Sequence, residues 1–219
     1  MSWLKKIFGK GTTYLTEQQM DEISKHVEVH VGEFDGVMHE IVSDALHIDI
    51  IHVPVVRGLN CQALCTMGMS ALPMPGLPPE LAHAEVIILL PPGWPTKHED
   101  YHDEANYWPI RWLKTFARLP VTNRAGLTPG ITVPCDLPGT RFDCLMLCPA
   151  AILPPEFSAL VSGGRTVNFY ALMPLTELET AWKIQQESAT ALWDRFQREG
   201  ADLKRLFIVE RDRPDFIIG

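Results

Sequence analysis

Apolar residues along this chain recur with two periods, and the change between them marks the elements. From Thr16 to Val31 the spacing is helical, with Met20, Ile23, Val27 and Val31 on one face. Thr16 and Gln19 stand where the N-cap and N3 residues of a capping box would, so the helix should start after Thr16. His26 and His30 also fall four apart on it, as a zinc pair or as surface histidines; the glutamate of an HExxH motif is missing. After Gly36 the period shortens. Val37–Val42 and His47–Val53 predict strands around a turn at Ser43-Asp44. In the second strand His47, Asp49 and Ile51 share one face, and Ile48, Ile50 and His52 the other, so neither is cleanly apolar. Cys61–Met67 predicts a further strand. Ala84–Leu90, AEVIILL, is a nearly continuous apolar run; such a strand belongs at the centre of a sheet, covered on both faces.

Trp108, Trp112, Leu113, Phe116 and Ala117 return to helical spacing. That helix should run from Ala105 or Pro109 to Leu119, with Pro109 tolerated in the first turn and Pro120 closing it. A short strand, ITVPC, and a longer one, Phe142–Cys148, follow. Phe157–Val161 and Thr166–Met173 flank Ser162-Gly163-Gly164-Arg165, a tight hairpin; read as a phosphate nest, the glycines lack a following helix N-terminus. Pro174 should end the second strand. Thr176 and Glu179 form another capping box, heading helical stretches to about Gln186 and from about Ala189 to Gln197. Gly200 ends them, and Leu206–Val209 predicts a last short strand.

The stretch Asn60–Pro75, NCQALCTMGMSALPMP, breaks a strand at Gly68 and places Met67, Met69 and Met74 around the break. Glycine there predicts a bulge or sharp bend. Methionines fill irregular core gaps or line surfaces for variable partners, and both readings apply.

The length, 219 residues, suits one large domain or a domain with appendages. The sequence divides into an N-terminal amphipathic segment (1–15), a main domain (16–200) and a C-terminal strand with a charged tail (201–219). In the first, Trp3, Leu4, Ile7 and Phe8 lie among three lysines and could dock on the domain or touch an anionic membrane surface. A net charge of −8 repels phosphate backbones, which argues against nucleic acid and favours a basic partner. The apolar run Val86–Leu90 is too short to span a bilayer. Five cysteines, an odd number, follow no secretory leader, so the expectation is a cytoplasmic protein with reduced thiols.

The common catalytic patterns are missing. Gly68-Met69-Ser70-Ala71-Leu72 starts like a nucleophile elbow, but Leu72 replaces its second glycine. Neither GxxxxGK[ST] nor GxGxxG occurs. Cys61/Cys65 and Cys144/Cys148 are four apart on strands, about 13 Å, too far for two thiolates to share a metal. His98 and His102, in the charged segment TKHEDYHDE, are the alternative: a metal site serving a hydrolase, or a solvated loop. No cofactor is expected.

Several segments in order carry a resemblance: HIDIIHVP (47–54), TMGMSALPMP (66–75), AEVIILLPPGWP (84–95), WPIRWLKTFARLP (108–120), GITVPCD (130–136) and FYALMPLTELETAW (169–182). The set resembles the suppressor-of-fused domain in a bacterial, single-domain form, over roughly 36–196. The resemblance implies an α+β fold, with a mixed, largely antiparallel sheet and helices packed on it. It implies a non-catalytic protein that binds and restrains another, as the animal relatives restrain a transcription factor. Bacterial relatives have been proposed as immunity proteins against toxins. The resemblance is to the form without the animal proteins' second lobe, which is therefore not expected here, so no contact residue carries over. From the loop positions, Met69, Met74, Trp94 and Trp108 are the candidate partner-binding residues, each with a core role as the alternative.

Overall fold

The computed structural model describes residues 11–43 and 45–216. The expected amphipathic turns at Trp3–Phe8 lie outside the described residues.

Helix α1 (Glu17–His30) starts where the capping box places it: the Thr16 hydroxyl accepts from the Gln19 amide, and the Gln19 side chain accepts from the Thr16 amide. Its apolar stripe buries Ile23 and Val27. Among the described residues eight strands form one sheet: β1 (Gly36–Met38), β2 (Asp49–Val53), β3 (Gln62–Met67), β4 (His83–Leu90), β5 (Thr132–Pro134), β6 (Phe142–Pro149), β7 (Ala159–Ser162) and β8 (Arg165–Thr176). Their order is β1-β2-β3-β4-β8-β6-β5, with β7 also paired to β8. Among the described residues the strand pairings are antiparallel except β4 with β8. The sheet is therefore mixed and largely antiparallel.

β4 is central, as its sequence requires. Val86, Ile88 and Leu90 join a core under α2 (Glu104–Asn123), while Ile87 and Leu89 join the core on the opposite face. That second core takes α1, α4 (Ala191–Arg198) and α5 (Leu203–Phe207). α3 (Glu177–Ile184) begins at its capping box directly after β8.

Four expectations change. Pro120 does not close α2; both Pro109 and Pro120 lie inside it, and Arg124 ends it in a left-handed conformation, φ 52°. An interior proline costs about 3 kcal/mol. The buried Trp108, Leu113 and Phe116 offset that cost, since each large apolar side chain contributes about 1.5–3 kcal/mol. Pro174 does not end β8, which continues to Thr176. Pairing with β4 stops at Ala171, so no strand needs the missing N–H on that side, where Arg213 bonds the Pro174 carbonyl at 3.0 Å. Leu206–Val209 is mostly helical: Asp202 caps α5 by accepting from the Lys204 amide, and only Ile208 bridges to Leu89. His26 is buried rather than a surface residue. Its ring packs by Phe157 and Phe169, and Nε2 lies 3.1 Å from the Phe157 carbonyl. Burial pulls its pKa down.

Arg213 and Glu179 form a bidentate ion pair with both side chains fully buried and both contacts at 2.7 Å. The amides of Thr176 and Phe216 also donate to Glu179. The stretch after Gly200 is thus packed into the body of the fold.

Candidate functional site

The four residues singled out for partner contact lie in the core between α2 and the sheet. Met69 and Met74 are 3% exposed, Trp94 5% and Trp108 0%. Trp108 is on α2 itself, and Met69 is in a 3-10 turn that follows β3. Trp94 meets Trp108 edge-on, donates to the Asn106 carbonyl at 3.0 Å, and is covered by the Arg211 guanidinium 4.0 Å from its ring. Their burial matches the packing role and leaves little side-chain surface for a partner.

The break at Gly68 has a different purpose. The chain turns there at φ 144°, and a Cβ would stand 2.1 Å from the His47 carbonyl oxygen. The turn aims the amides of Gly68, Met69 and Ser70 at the fully buried Glu85 carboxylate on β4. The hydroxyls of Thr66 and Ser70 complete the shell at 2.6 and 2.7 Å. Burial still outweighs these donors and raises the Glu85 pKa. The signal was present in the sequence: Glu85 is the one charge in the AEVIILL run.

A second polar cluster invites a catalytic reading. Ser43 Oγ is 2.7 Å from His47 Nδ1, and His47 Nε2 is 3.0 Å from Asp49. The hydroxyl, however, donates to Glu40 at 2.7 Å. A hydroxyl proton directed at Glu40 is not directed at His47, so the Ser43–His47 contact lacks the nucleophile–base form. Arg118 and Lys114 pair with Glu40, while His39 and the Glu40 amide serve Asp49. Burial opposes ionisation, but the Arg118 contact on Glu40 and the His47 contact on Asp49 lead the donors that hold both pKa values down. The cluster ties β2 to α2. The thiols are equally unsuited to attack, since burial pushes Cys61 and Cys144 up to about 11.

A cleft of about 530 Å³ lies at the sheet edge. β1 forms one wall, and its outer side has no strand partner among the described residues. Met38, Tyr101, Tyr107 and Ile110 supply apolar surface, and His52, His98, Lys97 and Lys114 supply polar groups. The geometry is braced. His52 is held between Asp35 (2.7 Å) and Gln62 (2.9 Å). The Tyr101 hydroxyl donates to the Thr96 carbonyl at 2.6 Å and also contacts the Met38 sulfur. Burial raises its pKa to about 12. His98 thus lines a cleft, whereas His102 ends the same 3-10 turn without lining it. Among the described residues no group of three His, Cys, Asp or Glu side chains is placed to hold a metal ion.

The site is thus an edge cleft on an open, helix-covered sheet. The model for Suppressor of fused protein (SUFU) matches residues 44–208, more than half of the chain, and the protein belongs to that family. A suppressor-of-fused homologue from Neisseria gonorrhoeae FA 1090 superposes with TM-score 0.65 at 13% identity, covering 93% of this chain and 100% of its own. A chain of the Sufu–Fu complex gives 0.62 at 14%, covering 90% and 91%. Drosophila Suppressor of Fused gives 0.51 at 15%, covering 78% of this chain and 43% of its own. No curated protein sequence matches. Among the described residues no helix is long and apolar enough to cross a membrane.

Proposed function

We propose that this domain binds and restrains a partner protein without catalysing a reaction on it, and that the partner docks in the cleft beside β1. The cleft's make-up carries the reading: tyrosine and methionine surface beside a strand whose outer edge is unpaired among the described residues. An extended segment laid along β1 would gain main-chain hydrogen bonds there and place a side chain against Tyr101 and Tyr107. Aromatic residues and methionine are favoured at interfaces. The Sufu–Fu complex, of similar fold, supports a protein partner. The net charge of −8 suits a basic one, drawn by the surface at large, since Lys97 and Lys114 line the cleft itself. Neutralising a toxin in the cytoplasm is the specific role we assign, on the resemblance to bacterial single-domain members.

The test is a pulldown from native lysate, followed by affinity measurements on the captured protein with Tyr107→Ala and with Val161→Ala, an exposed control on β7. Binding should weaken by more than about 1 kcal/mol for the first and stay unchanged for the second. Equal affinities, with the Tyr107 variant folded, would sink the site.

A further inference from the structure

Ile41 and Val42 are neighbours on the bend that follows β1, and they are 79% and 80% exposed. One exposed aliphatic side chain is ordinary on a protein surface. Two together at a bend become informative when more apolar surface arrives beside them, and here it does. The Thr13 amide donates to the Ala45 carbonyl at 2.9 Å, and the His47 amide donates to the Thr13 carbonyl at 3.1 Å. The Thr12 hydroxyl donates to the Ser43 carbonyl at 3.3 Å, and Thr13 bridges to Leu46 in parallel. The start of the chain is thereby tied to the residues that follow the Ile41-Val42 bend.

The sequence leading into that tie, residues 1–10, holds Trp3, Leu4, Ile7 and Phe8 among Lys5, Lys6 and Lys10. No acidic residue stands before Glu17, although the whole chain carries −8. This composition suits the boundary between acyl chains and anionic headgroups: the apolar side chains enter and the lysines meet the phosphates. So short a segment holds weakly by itself, and the Ile41-Val42 bend supplies a second apolar contact at the same place.

The charges beside the bend do not oppose this. Glu40 and Asp49 are buried, and each is paired: Glu40 with Arg118 and Lys114, Asp49 with His39 and His47. Asp44 is the one acidic residue in the sequence from Ile41 to Ile48. The acidic remainder of the chain is screened beyond about 8 Å at physiological ionic strength. Docking of residues 3–8 onto the bend itself accounts for less. Two aliphatic side chains cannot cover a tryptophan, a phenylalanine, a leucine and an isoleucine, and they leave the lysines unused.

We propose that residues 1–10 and the Ile41-Val42 bend together form a docking surface for an anionic lipid bilayer. Trp3, Leu4, Ile7, Phe8, Ile41 and Val42 enter its outer layer, and Lys5, Lys6 and Lys10 pair with the headgroups. The inference goes beyond the partner-binding role and does not depend on what occupies the β1 cleft.

The test is co-sedimentation of the full chain with two kinds of vesicle, phosphatidylcholine alone and phosphatidylcholine mixed with phosphatidylserine. The chain should bind the anionic vesicles and release from them as salt rises, and it should bind the neutral ones far less. Lys5→Gln/Lys6→Gln should weaken binding roughly thirtyfold, from about fivefold per lysine. Ile41→Ser/Val42→Ser should weaken it at least about tenfold. Val161→Ser, at an exposed residue of β7, should leave it unchanged. A chain that stays in solution with the anionic vesicles, or binds the neutral ones equally, overturns the proposal. So does undiminished binding after Ile41→Ser/Val42→Ser. A wild type that ignores vesicles while that variant melts early would mean that residues 3–8 dock on the bend, which overturns it as well. Should the variant not fold, Lys5→Gln/Lys6→Gln, ahead of α1, and the neutral vesicles still decide.

Discussion

Replacing Glu85 tests whether its carboxylate organises the Gly68 turn. One oxygen accepts from the Gly68 amide, the Ser70 amide and the Ser70 hydroxyl; the other accepts from Thr66 and, at 3.2 Å, the Met69 amide. In Glu85→Gln the amide oxygen can keep the three-donor side. The amide nitrogen can donate to the Thr66 hydroxyl, but it faces the Met69 N–H as a second donor. The Met69 N–H and the Thr66 O–H then both lose their acceptor; the hydroxyl can rotate away, so the amide sets the cost, about 1–3 kcal/mol. For a chain of this size each kcal/mol moves the melting temperature by about 2–4 °C, so the expected fall is about 2–12 °C. In Glu85→Ala three backbone amides lose their acceptor, an upper cost of about 3–9 kcal/mol. Relaxation of the turn and removal of a buried charge reduce it, which leaves the lower half of that range. Against a total stability of about 5–15 kcal/mol, Glu85→Ala should melt far below Glu85→Gln or fail to fold. Calorimetry at neutral pH, with far-UV circular dichroism as a check on folding, measures both. If Glu85→Ala melted within about 2 °C of wild type, the turn would not depend on this side chain.

Four further outcomes follow from the same structure. Because burial raises the Glu85 pKa, its stabilising contribution is full below the ordinary carboxylate value and declines as pH rises through the folded one; the gap between wild type and Glu85→Gln should narrow as pH rises above the ordinary carboxylate value in denaturant titrations. Asp49 and Glu40 have the opposite sign: their pKa values are lowered, so their stabilisation is present above the ordinary values and lost as pH falls through the folded ones, and Asp49→Asn should flatten the acid limb of the unfolding curve. Glu179→Ala or Arg213→Ala alone should cost about 3–5 kcal/mol by stranding a buried charge, while the pair Glu179→Leu/Arg213→Met costs less than either; a double variant as unstable as the sum would contradict this. Trp108→Ala should lose about 3–5 kcal/mol of folding stability, and an unchanged melt would mean that the residue is not core.

Elements whose signals are local were legible in the sequence. Both capping boxes start helices at the expected residues, because cap and N3 partner lie three apart and need nothing else. β4 was legible as central because its apolar run has no solvent face. What stayed hidden depends on partners distant in the chain. Arg213 answers Glu179, and the 68–70 amides answer Glu85, only once the sheet is assembled. Prolines 109 and 120 were read by local cost, but burial of the α2 face decided the outcome. Met69, Met74, Trp94 and Trp108 could not be sorted by type, since cores and interfaces draw on the same residues. The β1 cleft collects residues from Asp35 to Lys114, and no window along the sequence contains it.

The parallel neighbour of β4 has a consequence for the order in which the protein is made. A ribosome releases β4 well before β8, and Arg213 later still. Until β8 emerges, one edge of the VIILL strand has no mate and can pair with any nascent chain nearby. Even then Glu179 has no counter-ion until Arg213 leaves the exit tunnel, and Val209 has yet to bond the Leu89 carbonyl at 3.0 Å. Folding during translation therefore cannot proceed as a finished first half followed by a second. The sheet closes late, and chains interrupted between β4 and Arg213 carry the greatest hazard of aggregation.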